Sequence, residues 1–231
     1  MNRWFAEKVG IDLDLISVQS VKHRKRRAEN DSKRISVEKL TPVDRSRQSL
    51  VLRRYVHYLL DERNLTPEMI DEFRISVCRD GPRWLSGSLV FSLRDSKYPG
   101  LNSYRRMNGS GYASPGIPSD ALFNADSLDG ASEPVFVVEG VMDVIRLYPK
   151  LAVATFGKDI TEDRLDRLAK CEASLVIAMD GDAWETGRAI CRRLWLRGKD
   201  DVVWVKLPAG YDPADIEVTD NLKQNFQSRR A

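Results

Sequence analysis

The sequence predicts an α/β protein built around an open, doubly wound parallel sheet, and three observations point there. Four β-rich runs, Val135–Val138, Leu151–Thr155, Leu175–Met179 and Val202–Leu207, alternate with stretches of helical periodicity. Acidic residues follow three of these runs, where the carboxyl ends of parallel strands gather ligands. The chain has 231 residues and 42% hydrophobic content, enough for a substantial core.

Taken in order, residues 1–48 form a basic extension. It contains Lys22-His23-Arg24-Lys25-Arg26-Arg27 and has little apolar periodicity. From Ser49 to Asp61, Leu50, Val51, Tyr55, Tyr58 and Leu59 make a helical stripe, and Thr66-Pro67 supplies an N-cap with proline at N1 for a second helix. Ser88–Leu93 reads as a short strand, and the Gly, Ser, Asn and Pro of residues 96–120 read as a long loop. In the second half, Val141, Val144, Ile145 and Tyr148 share a helix face. Thr161-Glu162-Asp163 opens another helix with a capping hydroxyl and acidic first turn, and Gly187–Arg197 supplies a third. The expected organisation is an extension over 1–48, a smaller α/β subdomain over 49–132, the parallel-sheet domain over 133–218 and a tail over 219–231.

Residues 1–58 hold 14 Lys/Arg against 7 Asp/Glu, while residues 59–231 hold 23 against 27. A basic leader on an acidic body suits either a polyanion-binding arm beside a cation site or a plain solvated tail. Cys78, Cys171 and Cys191 lie far apart, and His23 and His57 are the sole histidines. That spacing predicts free thiols and no zinc. No apolar run approaches the ~20 residues of a membrane span, so the expected location is cytoplasmic, with no membrane partner.

Three acidic clusters follow strands: Glu139-Gly140, Asp180-Gly181-Asp182, and Asp212-Pro213-Ala214-Asp215. Carboxylates crowded on one edge repel unless a cation sits among them. Hard oxygen ligands favour magnesium or manganese, which take one or two carboxylates together with substrate phosphates. A cation among these acids is therefore expected.

These residues carry a family resemblance. Glu139-Gly140-Val141-Met142-Asp143, Gly157-Lys158-Asp159-Ile160-Thr161, Asp180-Gly181-Asp182 and Asp212-Pro213-Ala214-Asp215 resemble the Toprim motifs of bacterial and phage-type DNA primases. Upstream, Tyr58-Leu59-Leu60-Asp61-Glu62-Arg63-Asn64-Leu65-Thr66-Pro67 resembles the helix pair before that family's first strand. The likeness runs from about Ser49 to Asp215.

The resemblance implies a Toprim domain, a Rossmann-like parallel sheet with flanking helices, preceded by a primase-type α/β subdomain. It implies that Glu139, Asp143, Asp180, Asp182 and Asp212 hold the metal, with Glu139, Asp180 and Asp182 catalytic; Asp143, one turn beyond Glu139, reads equally as a helix N-terminal acid. It implies a bacterial or phage-infected cytoplasm and magnesium- or manganese-dependent RNA primer synthesis on single-stranded DNA from ribonucleoside triphosphates. A Toprim nuclease and a non-catalytic module binding DNA or a replication partner are the alternatives. Arg105 and Arg106 match the family's Gly-Arg region, and Lys158 reads as a phosphate contact or a solvent-facing lysine. Together with Lys22, Arg24, Lys25, Arg26 and Arg27 these are the expected nucleotide and nucleic-acid contacts. Trp184 reads as a base-stacking or a packing residue.

The chain departs from the family in two respects. Gly111 stands where the family has a lysine, and no segment matches the family's zinc module, helicase-binding region or full helical end of the core. A helicase or a separate zinc-module chain is therefore an expected partner.

Overall fold

The computed structural model describes residues 36–39, 50–80, 82–107 and 111–215. The basic cluster Lys22, Arg24, Lys25, Arg26 and Arg27 lies outside these residues, as do the tail over 219–231 and the extension apart from Ser36–Lys39, which joins the first sheet as a strand.

The first half pairs two helices with an antiparallel sheet. The stripe of Leu52, Tyr55 and Val56 builds α1 (Leu50–His57), which runs on into a π-helical turn, Tyr58–Glu62, with Leu59 fully buried. Thr66 caps α2 (Pro67–Glu72): its hydroxyl accepts from the Met69 amide at 3.3 Å, and Pro67 at N1 forgoes a donor that would lack an intrahelical partner. The sheet has the order β1 (Ser36–Lys39), β2 (Ser76–Asp80), β3 (Ser88–Ser92), β4 (Asn102–Arg106), β5 (Tyr112–Ala113), antiparallel throughout.

Here the structure corrects the expectation of one long loop over 96–120, because β4 and β5 lie inside it. In β4 the buried Ser103 and Tyr104 sit among partly exposed polar residues, so the strand lacks the apolar signature of its neighbour β3. Its register against β3 comes from the pairing Val90↔Tyr104, which a local reading of composition cannot supply.

The second half alternates strand and helix as expected: β6 (Val135–Val138), α3 (Val141–Leu147), β7 (Ala152–Ala154), α4 (Glu162–Lys170), β8 (Leu175–Ile177), α5 (Trp184–Trp195), β9 (Val202–Trp204). The helix expected from Gly187 begins three residues earlier, at Trp184. The strands are parallel in the order β7-β6-β8-β9. Both faces of the sheet are covered. Phe136, Val138, Val176 and Ala178 pack with α1, α2 and α3, while Val135, Val137, Leu175 and Ile177 pack with α4 and α5. Strands buried on both sides read as continuous apolar runs, which is why the sequence exposed them.

The two halves share that first core, since Leu52, Phe73, Ile75 and Phe91 belong to the same cluster as Phe136 and Val144. The connection also pairs with the sheet: Phe123 and Ala154 exchange backbone hydrogen bonds of 3.0 and 3.1 Å, covering the β7 edge. Arg167 on α4 grips the fully buried Asp95 carboxylate with two hydrogen bonds, 2.5 and 2.9 Å long.

Candidate metal and nucleotide site

The order β7-β6-β8-β9 reverses direction at β6, because the chain steps first to β7 on one side and then to β8 on the other. A crevice opens outside the carboxyl ends of the strands at such a reversal. Glu139 directly follows β6. Asp180 follows the extended end of β8, where the Ala178 amide still donates to the Val137 carbonyl at 2.9 Å.

Local chemistry holds the two backbones. The Gly157 amide donates to the Glu139 carbonyl at 3.0 Å, and the Thr155 hydroxyl donates to the Val138 carbonyl (3.2 Å) and the Gly157 carbonyl (2.8 Å). Gly157 has φ +123°, a conformation side chains disfavour. On the β8 side, the Gly181 amide donates to the Tyr211 carbonyl at 3.0 Å, which lays the Pro208–Asp212 turn across the strand end. A Cβ at Gly181 would stand 1.9 Å from the Pro208 carbonyl oxygen, so this crossing requires glycine.

The carboxylate heads are less well provided for. Glu139 Oε1 and Asp180 Oδ1 are both buried with no hydrogen-bond partner. Burial, then the charges of Asp180 and Asp182, push the Glu139 carboxyl up to about 7, opposed by a backbone hydrogen bond at Asp180 and by Lys158. Burial and then Asp180 push Asp143 up to about 7, against the Gly140 amide that donates to its Oδ2 at 2.9 Å. Asp180 is raised by burial, then by Asp212 and Asp182. Orphaned carboxylate oxygens, and carboxyls raised by burial and by neighbouring acids, suit a site that takes up a cation.

A groove of about 480 Å³ collects Glu139, Asp143, Asp180 and Asp212 together with Arg63, Arg105, Tyr112 and Ser114 from the first half. Arg105 lies over the rings of Tyr112 (5.0 Å) and Tyr58 (5.5 Å), and Arg63 Nε donates to the Tyr58 hydroxyl at 2.7 Å. Burial pushes the Tyr112 phenol up to about 12, so it stays a neutral donor. Arg146 reaches Asp212 at 3.4 Å.

The structure thus brings Glu139, Asp143, Asp180, Asp212 and Arg105 to one groove. Asp182 is exposed at its rim, outside the lining, and acts on Glu139 and Asp180 by charge. Lys158 is exposed, and its charge reaches Glu139. Arg106 lines a neighbouring groove with Arg54. Asp143 is also a helix-capping acid, so both of its readings have a physical basis. Trp184 stacks on Trp204 at 6.0 Å, with the Lys206 ammonium 4.2 Å from its ring centroid, which favours packing over base stacking. Among the described residues, no three His, Cys, Asp or Glu side chains converge closely enough to hold an ion by themselves. Cys78, Cys171 and Cys191 are free thiols.

Sequence reasoning missed Arg63, Tyr112 and Ser114 as groove residues. Arg63 leaves a helical turn 76 residues before Glu139, and no local motif sets it apart from other surface arginines.

Residues 136–216 match the profile of the Toprim-like family. A DNA primase of Lactococcus lactis is 35% identical over 92 residues, covering 38% of this chain and 14% of that protein. The Aquifex aeolicus primase, solved with its zinc-binding and RNA polymerase domains, superposes with a TM-score of 0.63 at 18% identity, covering 96% of this chain and 65% of that one. Residues 136–216 form a Toprim-like domain, and the chain shares its fold with primase catalytic cores. The primase fragment of the bacteriophage T7 primase-helicase protein shares the fold, with a TM-score of 0.53 and 16% identity over 72% of this chain and 71% of that one. The chain spans only a small share of the length of its Lactococcus relative. Among its described residues, no helix is long and apolar enough to cross a membrane.

Proposed function

We propose that this core synthesises RNA primers on single-stranded DNA by divalent-metal-dependent nucleotidyl transfer from ribonucleoside triphosphates. One observation carries the reading: Glu139 Oε1 and Asp180 Oδ1, buried without hydrogen-bond partners, lie on the wall of a groove that also holds Arg63 and Arg105. Buried carboxylate oxygens without donors suit a hard divalent cation, magnesium or manganese, and Glu139 and Asp180 would hold it, with Asp143, Asp182 and Asp212 contributing negative charge around it. Magnesium needs only one or two carboxylates when substrate phosphates complete its shell, so the lack of a ready-made cage among the described residues fits this use. Such an ion supplies neutralisation of phosphoryl charge and activation of a hydroxyl.

The chain's own residues do the rest. Arg63 and Arg105 bring guanidiniums to the groove for phosphate oxygens, and Lys158 adds a cation at the rim beside Glu139. The Gly140 amide holds Asp143 in place, and the Gly181–Tyr211 hydrogen bond fixes the loop carrying Asp212. Similarity to DNA primases in sequence and fold supports the choice of priming over nuclease chemistry.

The reading includes partners. A replicative helicase or a separate chain with a zinc module would supply template selection; the T7 fragment that shares this fold comes from a primase-helicase protein. The cytoplasm of a bacterium or a phage-infected host is the matching location.

The test incubates the protein with single-stranded DNA, magnesium and labelled ribonucleotides, alone and with a candidate helicase, and resolves products on a gel. Template-dependent oligoribonucleotides, more abundant with the partner, are the expected result. Shortened DNA without triphosphate consumption would identify a nuclease instead.

A further inference from the structure

We infer that Phe156 is a stacking seat for the base of the nucleotide whose phosphates meet the acidic site. The inference deepens the proposed function by giving the groove a means of choosing a nucleoside triphosphate over a bare polyphosphate, and it rests on that reading for the identity of the ligand.

Backbone geometry sets this residue apart. Phe156 follows β7 and has φ +60°, and left-handed backbone at a bulky residue other than glycine is uncommon and strained. Such a conformation persists where its surroundings impose it. Here the Thr155 amide and hydroxyl both donate to the Val138 carbonyl, at 3.0 and 3.2 Å, and the Gly157 amide donates to the Glu139 carbonyl at 3.0 Å. The turn is thereby tied to the strand end that carries Glu139. An apolar side chain wanted only for packing is available from any ordinary helix or strand position, whereas this turn spends strain to bring an aromatic ring to the groove wall.

The surroundings of the ring fit a flat ligand. Phe156 is half-buried: it packs against the first core and also lines the groove beside Glu139 and Gly140. Arg164 on α4 is buried, with its guanidinium carbon 5.4 Å from the Phe156 ring centroid and its Nε donating to the Ala121 carbonyl at 2.7 Å. That cation steadies the ring. Phe156 lines the groove and Arg164 does not, so the support leaves the groove free for a ligand. Space is open beside the ring, since a Cβ added at Gly157 would meet nothing within 4 Å beyond its chain neighbours.

Size and chemistry choose the occupant. The groove holds about 480 Å³, within the roughly 300–1,000 Å³ of small-molecule sites. Its Glu139 and Asp180 end suits phosphates carried on a divalent ion, which leaves the apolar ring to the base. Every base offers a π-face, so this seat accepts any of the four.

The experiment measures binding of ATP and of inorganic tripolyphosphate, which has no base, by isothermal titration calorimetry in manganese. Phe156→Leu should weaken ATP binding about 10-fold, in the range of one lost base stack, and leave tripolyphosphate binding unchanged. Phe156→Tyr, which keeps the ring, should retain ATP binding. Unaltered tripolyphosphate binding also reports an intact fold, and Phe156→Met, whose flexible chain fills similar space, replaces the leucine variant if that one is unstable. Unchanged ATP binding in the leucine or methionine variant overturns the inference. Equal weakening of ATP and tripolyphosphate overturns it as well, because the ring would then only shape the groove, and so does weakened binding of an oligothymidylate with ATP binding intact. Binding is read without catalysis, so a loss confined to ATP beside failed primer synthesis would retain the base seat and reject the proposed function, and unchanged ATP binding beside normal priming would do the reverse.

Discussion

Glu139 and Asp180 stand at the carboxyl ends of neighbouring parallel strands, and each leaves one buried carboxylate oxygen without a hydrogen-bond partner. Burial and then the charge of Asp180 raise the Glu139 carboxyl, while Asp180 is raised by burial and then by Asp212 and Asp182. The fold tolerates this arrangement because both heads open onto a groove that a cation and a phosphate can enter.

Glu139→Gln and Asp180→Asn should each reduce magnesium-dependent activity about 100-fold or more, since each removes charge from the reacting centre. Neither should lower the melting temperature of the metal-free protein, because each also removes repulsion. Melting curves in chelator beside activity assays check both halves.

Asp143→Asn should cost less activity than either, because the amide oxygen can still accept from the Gly140 amide and keep α3 capped. A larger loss than that of Glu139→Gln would place Asp143 ahead of Glu139 as a metal ligand.

The raised carboxyls set a pH dependence. Glu139 and Asp143 sit at about 7 in the fold against 4.5 and 3.8 for the free side chains, so the folded state holds protons that the unfolded chain releases. Their contribution to stability is complete below the unfolded values, declines as pH rises, and is lost above about 7. Magnesium should therefore raise the melting temperature most above about 7, where these carboxyls are ionised, and least near 5, which differential scanning fluorimetry in matched buffers measures.

Gly181→Ala should destabilise the protein by about 3 kcal/mol, the upper range for overpacking, because its Cβ would meet a backbone oxygen that cannot swing aside. Urea unfolding gives the value. Gly100→Ala is the contrast: no atom lies within 4 Å of the added Cβ, so the backbone conformation at φ +81° is the sole source of strain.

Much of the fold and part of the site are legible in the sequence for physical reasons. Strands buried on both faces appear as unbroken apolar runs, and acids placed at their ends contrast with them, so Glu139, Asp180 and Asp212 are recognisable from the sequence alone. Thr66 and Thr161 announce their helices because a capping hydroxyl acts within three residues. The groove's other wall is illegible. β4 is half exposed and polar, so its composition reads as loop, and Arg63 and Tyr112 reach the site only through pairing of distant segments. The rim position of Asp182 likewise depends on how the chain turns after Asp180, where the Ala183 amide donates back to the Asp180 carbonyl at 2.8 Å.

Arg167→Met should cost about 3–5 kcal/mol, because it would leave the Asp95 carboxylate buried without its charged partner. The double variant Arg167→Met with Asp95→Leu should recover part of that loss, and chemical denaturation of the three variants completes the cycle.

The most direct test of the proposed metal site is manganese binding followed by electron paramagnetic resonance. Titration of the wild-type protein should remove the free-ion signal saturably, and the double variant Glu139→Gln with Asp180→Asn should leave that signal intact. Equal manganese uptake by the wild type and the variant would contradict the account.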